Sequence, residues 1–247
     1  MKHAPILLTY DAVNADVVSY ITLNMDYDGT VYILGGEGAV SADFTNGLSG
    51  FSVKRVAGSD RFGTNLAIMK EAGVSADQPV LIVTATNFAD SLSASAAGLP
   101  MVLVYGSLRE DQKEFLATTS RNFIIIGGEA AVSKSLENEL AAIGTVERLA
   151  GDGRYQTSVM VAKKFVQNPD DVVLAYARNF PDGLCGGPLA YALGAPLILT
   201  DNYYPGEADT YVSGISAGIV VGGTSLISDE TARAIFDLAS NAEITAK

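Results

Sequence analysis

The stretch RVAGSDRFGT at Arg55–Thr64 returns as RLAGDGRYQT at Arg148–Thr157, with Arg, Ala, Gly, Arg, an aromatic residue and Thr in matching places. It is the first of four blocks that recur in one order at a period near 93 residues. NFADSL at Asn87 and NFPDGL at Asn179 form the second. HAPILLT, GLPMVLVY and GAPLILT align on Pro5, Pro100 and Pro196, and ILGGEGAVS, IIGGEAAVS and VVGGTSLIS align on Gly35, Gly127 and Gly222. The last two blocks appear three times and the first two only twice. The chain therefore reads as the back half of one repeat over residues 1–54, a complete repeat over 55–147 and another over 148–247.

Each complete copy alternates helix and strand. FGTNLAIMKEAG places Leu66, Ile68, Met69 and Ala72 at helical spacing and stops at Gly73, and PVLIVTA is a continuous apolar run of strand length. A helix of small residues, FADSLSASAAG, leads to the buried strand PMVLVY. The charged surface helix REDQKEFLATT then leads to the buried strand NFIIIGG, and the amphipathic helix SKSLENELAAIG to a short strand at VERLA. Strands apolar on both faces and separated by helices require a parallel sheet covered on both sides. With right-handed crossovers, each copy becomes an α/β three-layer sandwich of the Rossmann or flavodoxin type. Pro100 and Pro196 are expected at the first residue of a strand, where a missing N–H costs least.

Composition removes several function classes. A formal charge of −12 argues against a nucleic-acid binder, so an anionic partner must be met locally. No apolar run reaches the ~18 residues of a membrane span, and MKHAPILLTY lacks the features of a signal peptide. One Cys cannot form an internal disulfide, and one His cannot build a His-rich metal site. Cys185 stands where the other copy has Ser93, as expected of a small buried residue.

Four arginines are candidates for ligand contact. Arg55 and Arg61 flank Gly58, and Arg148 and Arg154 flank Gly151, each set just ahead of a helix N-terminus suited to a phosphate or carboxylate. The alternative is that each Arg pairs with an acid of a neighbouring copy, such as Asp90 or Asp182, and fixes how copies dock. Those two acids share the context N-F-x-D-x-L at a strand-to-helix turn, where α/β sheets bind ligands. A first-turn acid also serves the helix dipole. No second titratable group is evident beside either, so no catalytic residue is assigned.

The GG turns fail the G-x-G-x-x-G spacing of a dinucleotide loop, so no cofactor is expected; the glycines make a tight turn and Ser41, Ser133 and Ser228 cap the helices that follow. GISAG at Gly214–Gly218 matches G-x-S-x-G, but a helix precedes it and a strand follows, the reverse of a nucleophile elbow, and the sole histidine is His3.

With these blocks the chain resembles the cell wall binding repeat 2 family of Gram-positive surface proteins. The resemblance implies a noncovalent, noncatalytic anchor outside the cell, holding a surface protein to an anionic wall polysaccharide through three repeats set around a pseudo-threefold axis. It also ties anchoring to the PILLT strand, here Ile6, Leu7 and Leu8, matched loosely by Leu197, Ile198 and Leu199 and least by Met101, Val102 and Leu103. The first copy departs from the pattern by its missing front half, which a homo-oligomer could complete as a particle heavier than one 25.8 kDa chain. An α/β enzyme acting on sugars or nucleotides, with Asp90 and Asp182 as its acids, and a purely architectural domain that displays a fused partner are the competing readings.

Overall fold

The computed structural model describes residues 4–10, 14–203, 206–212, 215 and 217–236. His3 and parts of the GISAG stretch lie outside these residues. Packing divides the chain into two compact units, one over Ile6–Ser75 and one from Ala76 onward.

The first unit contains α1 (Ala15–Asn24), β1 (Thr30–Leu34), α2 (Asp43–Asn46), β2 (Ser52–Val56) and α3 (Arg61–Ala72). β1 and β2 pair in parallel from Thr30 opposite Ser52 to Leu34 opposite Val56. Ile21, Ile33, Val40, Phe44 and Leu48 form its core, and Tyr27 stacks on Phe51 with ring centroids 5.3 Å apart. α3 starts at Asp60, whose carboxylate accepts from the Gly63 amide at 2.8 Å. It ends at Gly73, whose φ of 72° only glycine adopts cheaply. Ser41 does not cap α2, which follows Ala42 without a side-chain cap.

The expected PILLT strand is not formed in this unit. Ile6–Thr9 has no strand structure, and Leu7 and Leu8 are 36% and 39% exposed. The physical reason lies in pairing: the aligned segments Met101–Val104 and Leu197–Thr200 are each held in parallel by a strand, Val80–Thr84 and Val172–Tyr176, whereas the sheet of the first unit, among the described residues, joins Thr30–Leu34 to Ser52–Val56.

The second unit contains β3 (Val80–Thr84), α4 (Ala89–Ser95), β4 (Met101–Val104), α5 (Glu110–Thr119), β5 (Asn122–Ile126), α6 (Lys134–Ala141), β6 (Thr145–Leu149), α7 (Arg154–Phe165), β7 (Val172–Tyr176), α8 (Pro181–Leu193), β8 (Leu197–Thr200), α9 (Gly206–Val212), β9 (Gly218–Val221) and α10 (Asp229–Ile235). These strands build two all-parallel sheets, ordered β4-β3-β5-β6 and β8-β7-β9. The order β8-β7-β9 in the last copy repeats β4-β3-β5 in the middle one. Pro100 and Pro196 lie just before β4 and β8, and their carbonyls accept from Leu81 and Val173 at 2.8 and 3.0 Å.

Sidedness follows from residue size. Val80 to Val83 and Val172 to Ala175 are fully buried, as a strand covered on both faces must be. Each large side chain buried there contributes about 1.5–3 kcal/mol. α4 lies in the same core as the last sheet, with Ala89, Leu92 and Ala96 packed against Val173, Ala175, Leu197 and Leu199. In return, Val161 of α7 packs with Leu81, Val83 and Ile124 of the middle sheet. The small residues of α4 and α8 permit this interlock: a Cβ on Gly183 would stand 2.7 Å from a Leu92 methyl, and Ser95 leaves no room for one on Gly187.

Candidate functional site

The twice-written Arg and Gly block closes a turn between a strand and the helix after it. The Gly58 and Gly151 amides donate to Thr64 and Thr157 at 3.0 and 3.1 Å. Backbone or side-chain atoms six or fewer residues on fill the place where a Cβ would stand on either glycine. The Gly and the Thr of the block are therefore one device.

Its first Arg reaches back to the preceding GG turn. Arg55 Nη1 donates to the Gly35 carbonyl at 2.8 Å and Nη2 to that of Ser41 at 3.4 Å. Arg148 does the same to Gly127 at 2.7 Å and Val132 at 2.9 Å, and closes on Glu137 through Nε and Nη2 at 3.2 and 2.7 Å. The hydrogen bonds of Lys134 and Arg148 hold the Glu137 carboxyl below its ordinary value. All three guanidinium nitrogens of Arg148 are thus engaged within the fold.

The second Arg reaches a junction between copies. Arg154, the first residue of α7, donates from Nη1 to the Ala177 carbonyl at 2.7 Å and lies 5.8 Å from the centroid of Phe88. Phe88 meets Phe180, so the aromatic residues of both N-F-x-D-x-L blocks come together with centroids 6.3 Å apart. Asp90 follows in α4; burial pushes its carboxyl above the ordinary range while the nearby Arg154 charge pulls it back. Arg61, at the same place in the middle copy, is exposed. Its helix has the Asp60 cap, a carboxylate already on the amide that an anion would take.

Asp90 and Asp182 stand at the switch points of the two sheets. β4 and β5 flank β3 on opposite sides, as β8 and β9 flank β7, which opens a crevice at the carboxyl ends of the strands. Gly127 follows β5 with φ of 108° and Gly222 follows β9 with φ of 135°. The Asp90 carboxylate fills the place of a Cβ on Gly127, and Asp182 Oδ2 lies 3.2 Å from that of Gly222. Leu197, Ile198 and Leu199 of β8 are wholly buried, and their side chains serve the core. Cys185 is half-buried, its thiol pushed up by burial and then by the Asp182 charge.

A second constellation was not foreseen. Asp201, just beyond β8 and 1% exposed, accepts from Tyr155 Oη at 2.7 Å, from Arg178 Nε and from the Tyr203 amide at 2.8 Å. Burial opposes its charge, yet the bonds from Arg178, Tyr155 and the Tyr203 amide together hold its carboxyl below the usual range. Burial and the bond to Asp201 push the Tyr155 hydroxyl up to about 12. Arg178 in turn lies 5.4 Å from the centroid of Tyr203. The middle copy has Phe62, Thr86 and Tyr105 where these are Tyr155, Arg178 and Asp201. That loss of repetition, three positions changing together, was the available signal.

Among the described residues no His, Cys, Asp and Glu cluster is placed to hold a metal ion, and no helix is long and apolar enough to cross a membrane.

Comparison with known proteins converges on one family. The profile of Cell wall binding domain 2 (CWB2) matches residues 55–137 and 148–232. N-acetylmuramoyl-L-alanine amidase LytC of Bacillus subtilis (strain 168) is 33% identical over 192 residues, which cover 74% of this chain and 38% of that protein. The amidase enhancer of the same organism is 29% identical over 215 residues, 84% of this chain and 30% of that protein. The chain thus spans well under half the length of these relatives. Cwp8 from Clostridium difficile superposes with a TM-score of 0.82 at 27% identity, over 97% of this chain and 44% of that one. Cwp6 from the same organism shares the fold with a TM-score of 0.83 at 23% identity, over 98% and 41%. The chain, with its duplicated Arg and Gly block closing matched turns in tandem parallel-sheet repeats, belongs to the Cell wall binding domain 2 family.

Proposed function

We propose that this chain is a noncovalent anchor for an anionic secondary polymer of a Gram-positive cell wall, and that the repeats themselves perform no chemistry. Membership of a cell wall binding family supports the association with the wall and the cell surface. The observation that carries the polymer reading is the Arg154 junction, where a cation, two aromatic rings and the switch-point Asp90 meet beyond the carboxyl ends of the parallel strands. A chain with a formal charge of −12 attracts a polyanion only through such local cations. Arg61 and Arg154 are the direct contacts in this reading. Arg55 and Arg148 hold the turns behind them, and Asp90 and Asp182 shape the crevices.

The test is co-sedimentation with purified walls of the producing bacterium, before and after acid extraction of the secondary polymers. Binding to intact walls that disappears on extraction is the expected result. Undiminished binding to the bare peptidoglycan overturns the polymer reading.

A further inference from the structure

We infer that Tyr203 is a sugar-stacking platform of the last copy, held in place by Asp201 and Arg178, that packs its ring against a pyranose of the wall polysaccharide. The inference rests on the wall-polymer reading and names a contact for it.

Four observations carry it. Tyr203 is 79% exposed, a large aromatic ring that contributes little to the core. Its backbone is nevertheless set by the residues just before it: its own amide donates to the buried Asp201 carboxylate at 2.8 Å. The side chain of the intervening Asn202 accepts from the Ser228 amide and the Thr231 hydroxyl at 2.8 and 2.9 Å. An exposed ring whose backbone is tied at Asp201 and Asn202 is organised before any ligand arrives, which lowers the entropic cost of binding.

Second, the loop leaves the carboxyl end of β8, on the rim where parallel α/β sheets receive their ligands. Third, the charge network beneath the ring is not demanded by the fold. The middle copy builds the same strand order with Phe62, Thr86 and Tyr105 in place of Tyr155, Arg178 and Asp201. A buried carboxylate is costly to keep. Here it holds together the Tyr203 backbone, beyond β8, and the Arg178 guanidinium, beyond β7, that lies beside the ring.

Fourth, an exposed tyrosine stands within three residues after every PILLT segment: Tyr10 is 62% exposed and Tyr105 67%, both at the aligned position that Asp201 takes in the last copy, and Tyr203 follows three residues after Thr200. Rings so exposed gain little from packing, whereas the C–H face of a pyranose lies flat on an aromatic ring while its hydroxyls reach polar neighbours.

The experiment uses the full chain and the polysaccharide released by acid from purified walls. Tyr203→Ala is expected to weaken binding about tenfold or more, as truncation of an aromatic anchor does, with an unchanged melting temperature. Tyr203→Trp is expected to retain binding. Because the chain has no tryptophan, its emission then reports this one site, and a shift on adding the polysaccharide is the expected signature. If the unaltered chain binds while Tyr203→Ala binds equally well, or the Tyr203→Trp emission stays fixed under saturating polysaccharide, the platform is overturned and the wall reading stands. If the unaltered chain does not bind, both fall together.

Discussion

The carboxylate of Asp90 occupies the space that a side chain on Gly127 would need. The pair joins two of the repeated blocks, since Asp90 belongs to N-F-x-D-x-L and Gly127 to the GG turn. Asp182 and Gly222 repeat the relationship more loosely, at 3.2 Å. The acid and the glycine are therefore one structural unit at the switch point, and a side chain on the glycine meets the acid.

Gly127→Ala adds both a clash with Asp90 and a side chain at φ of 108°. A loss of about 2–4 kcal/mol is expected in urea unfolding. Gly222→Ala should cost less, because Asp182 stands farther off. Asp90→Gly should recover part of the loss in the double variant, as contacting residues couple; strictly additive losses would refute the pairing.

Arg148→Lys keeps the charge and loses the fork that spans the Gly127 and Val132 carbonyls and Glu137. It is expected to destabilise by about 1–3 kcal/mol. Glu137 has a depressed carboxyl in the folded chain, so its contribution is present above the unfolded value of 4.5 and is lost as pH falls through the lower folded value. A stability profile of Glu137→Gln should be flatter across that acid range than that of the unaltered chain.

Asp90 shifts the other way. Its folded carboxyl binds its proton more tightly than the unfolded one at 3.8, so its contribution declines as pH rises from 3.8 through the folded value. Arg154→Met removes the opposing charge and should push the carboxyl higher still. Carboxyl NMR titration checks this: an unmoved Asp90 would separate the two residues electrostatically.

Tyr155→Phe places in the last copy the ring that the middle copy already has as Phe62. The volume fits, but the Asp201 carboxylate loses a donor at 2.7 Å. A cost of about 1–3 kcal/mol is expected, as for a buried acceptor left short of a partner, with an upward shift of the Asp201 carboxyl by NMR.

Leu199→Ala and Leu8→Ala truncate the same place in the repeated PILLT block. The first empties a site of zero exposure and should cost about 2–5 kcal/mol, whereas the second, at 39% exposure, should cost under about 1 kcal/mol by thermal unfolding. Equal losses would show that the first copy buries its segment as the last one does.

Much of the architecture was legible in the chain because it depends on local pattern. Runs such as Val80–Val83 can only be strands covered on both faces, and Gly73 stops a helix wherever it occurs. The repetition announced that one fold was written more than once, and the family followed from the same blocks. What repetition could not reveal was which residues of a block meet which of another. Both Arg55 and Arg154 read equally well as anion ligands, yet one grips the GG turn that precedes its own block and the other reaches Phe88 and Asp90 of the neighbouring copy. The Asp201 network and the exposed PILLT segment of the first copy were likewise decided only in three dimensions. Strand and helix arise from neighbours along the chain, but a hydrogen bond over 46 residues, as between Tyr155 and Asp201, or a strand's need for a partner, exists only once distant segments have been brought together by burial of the core.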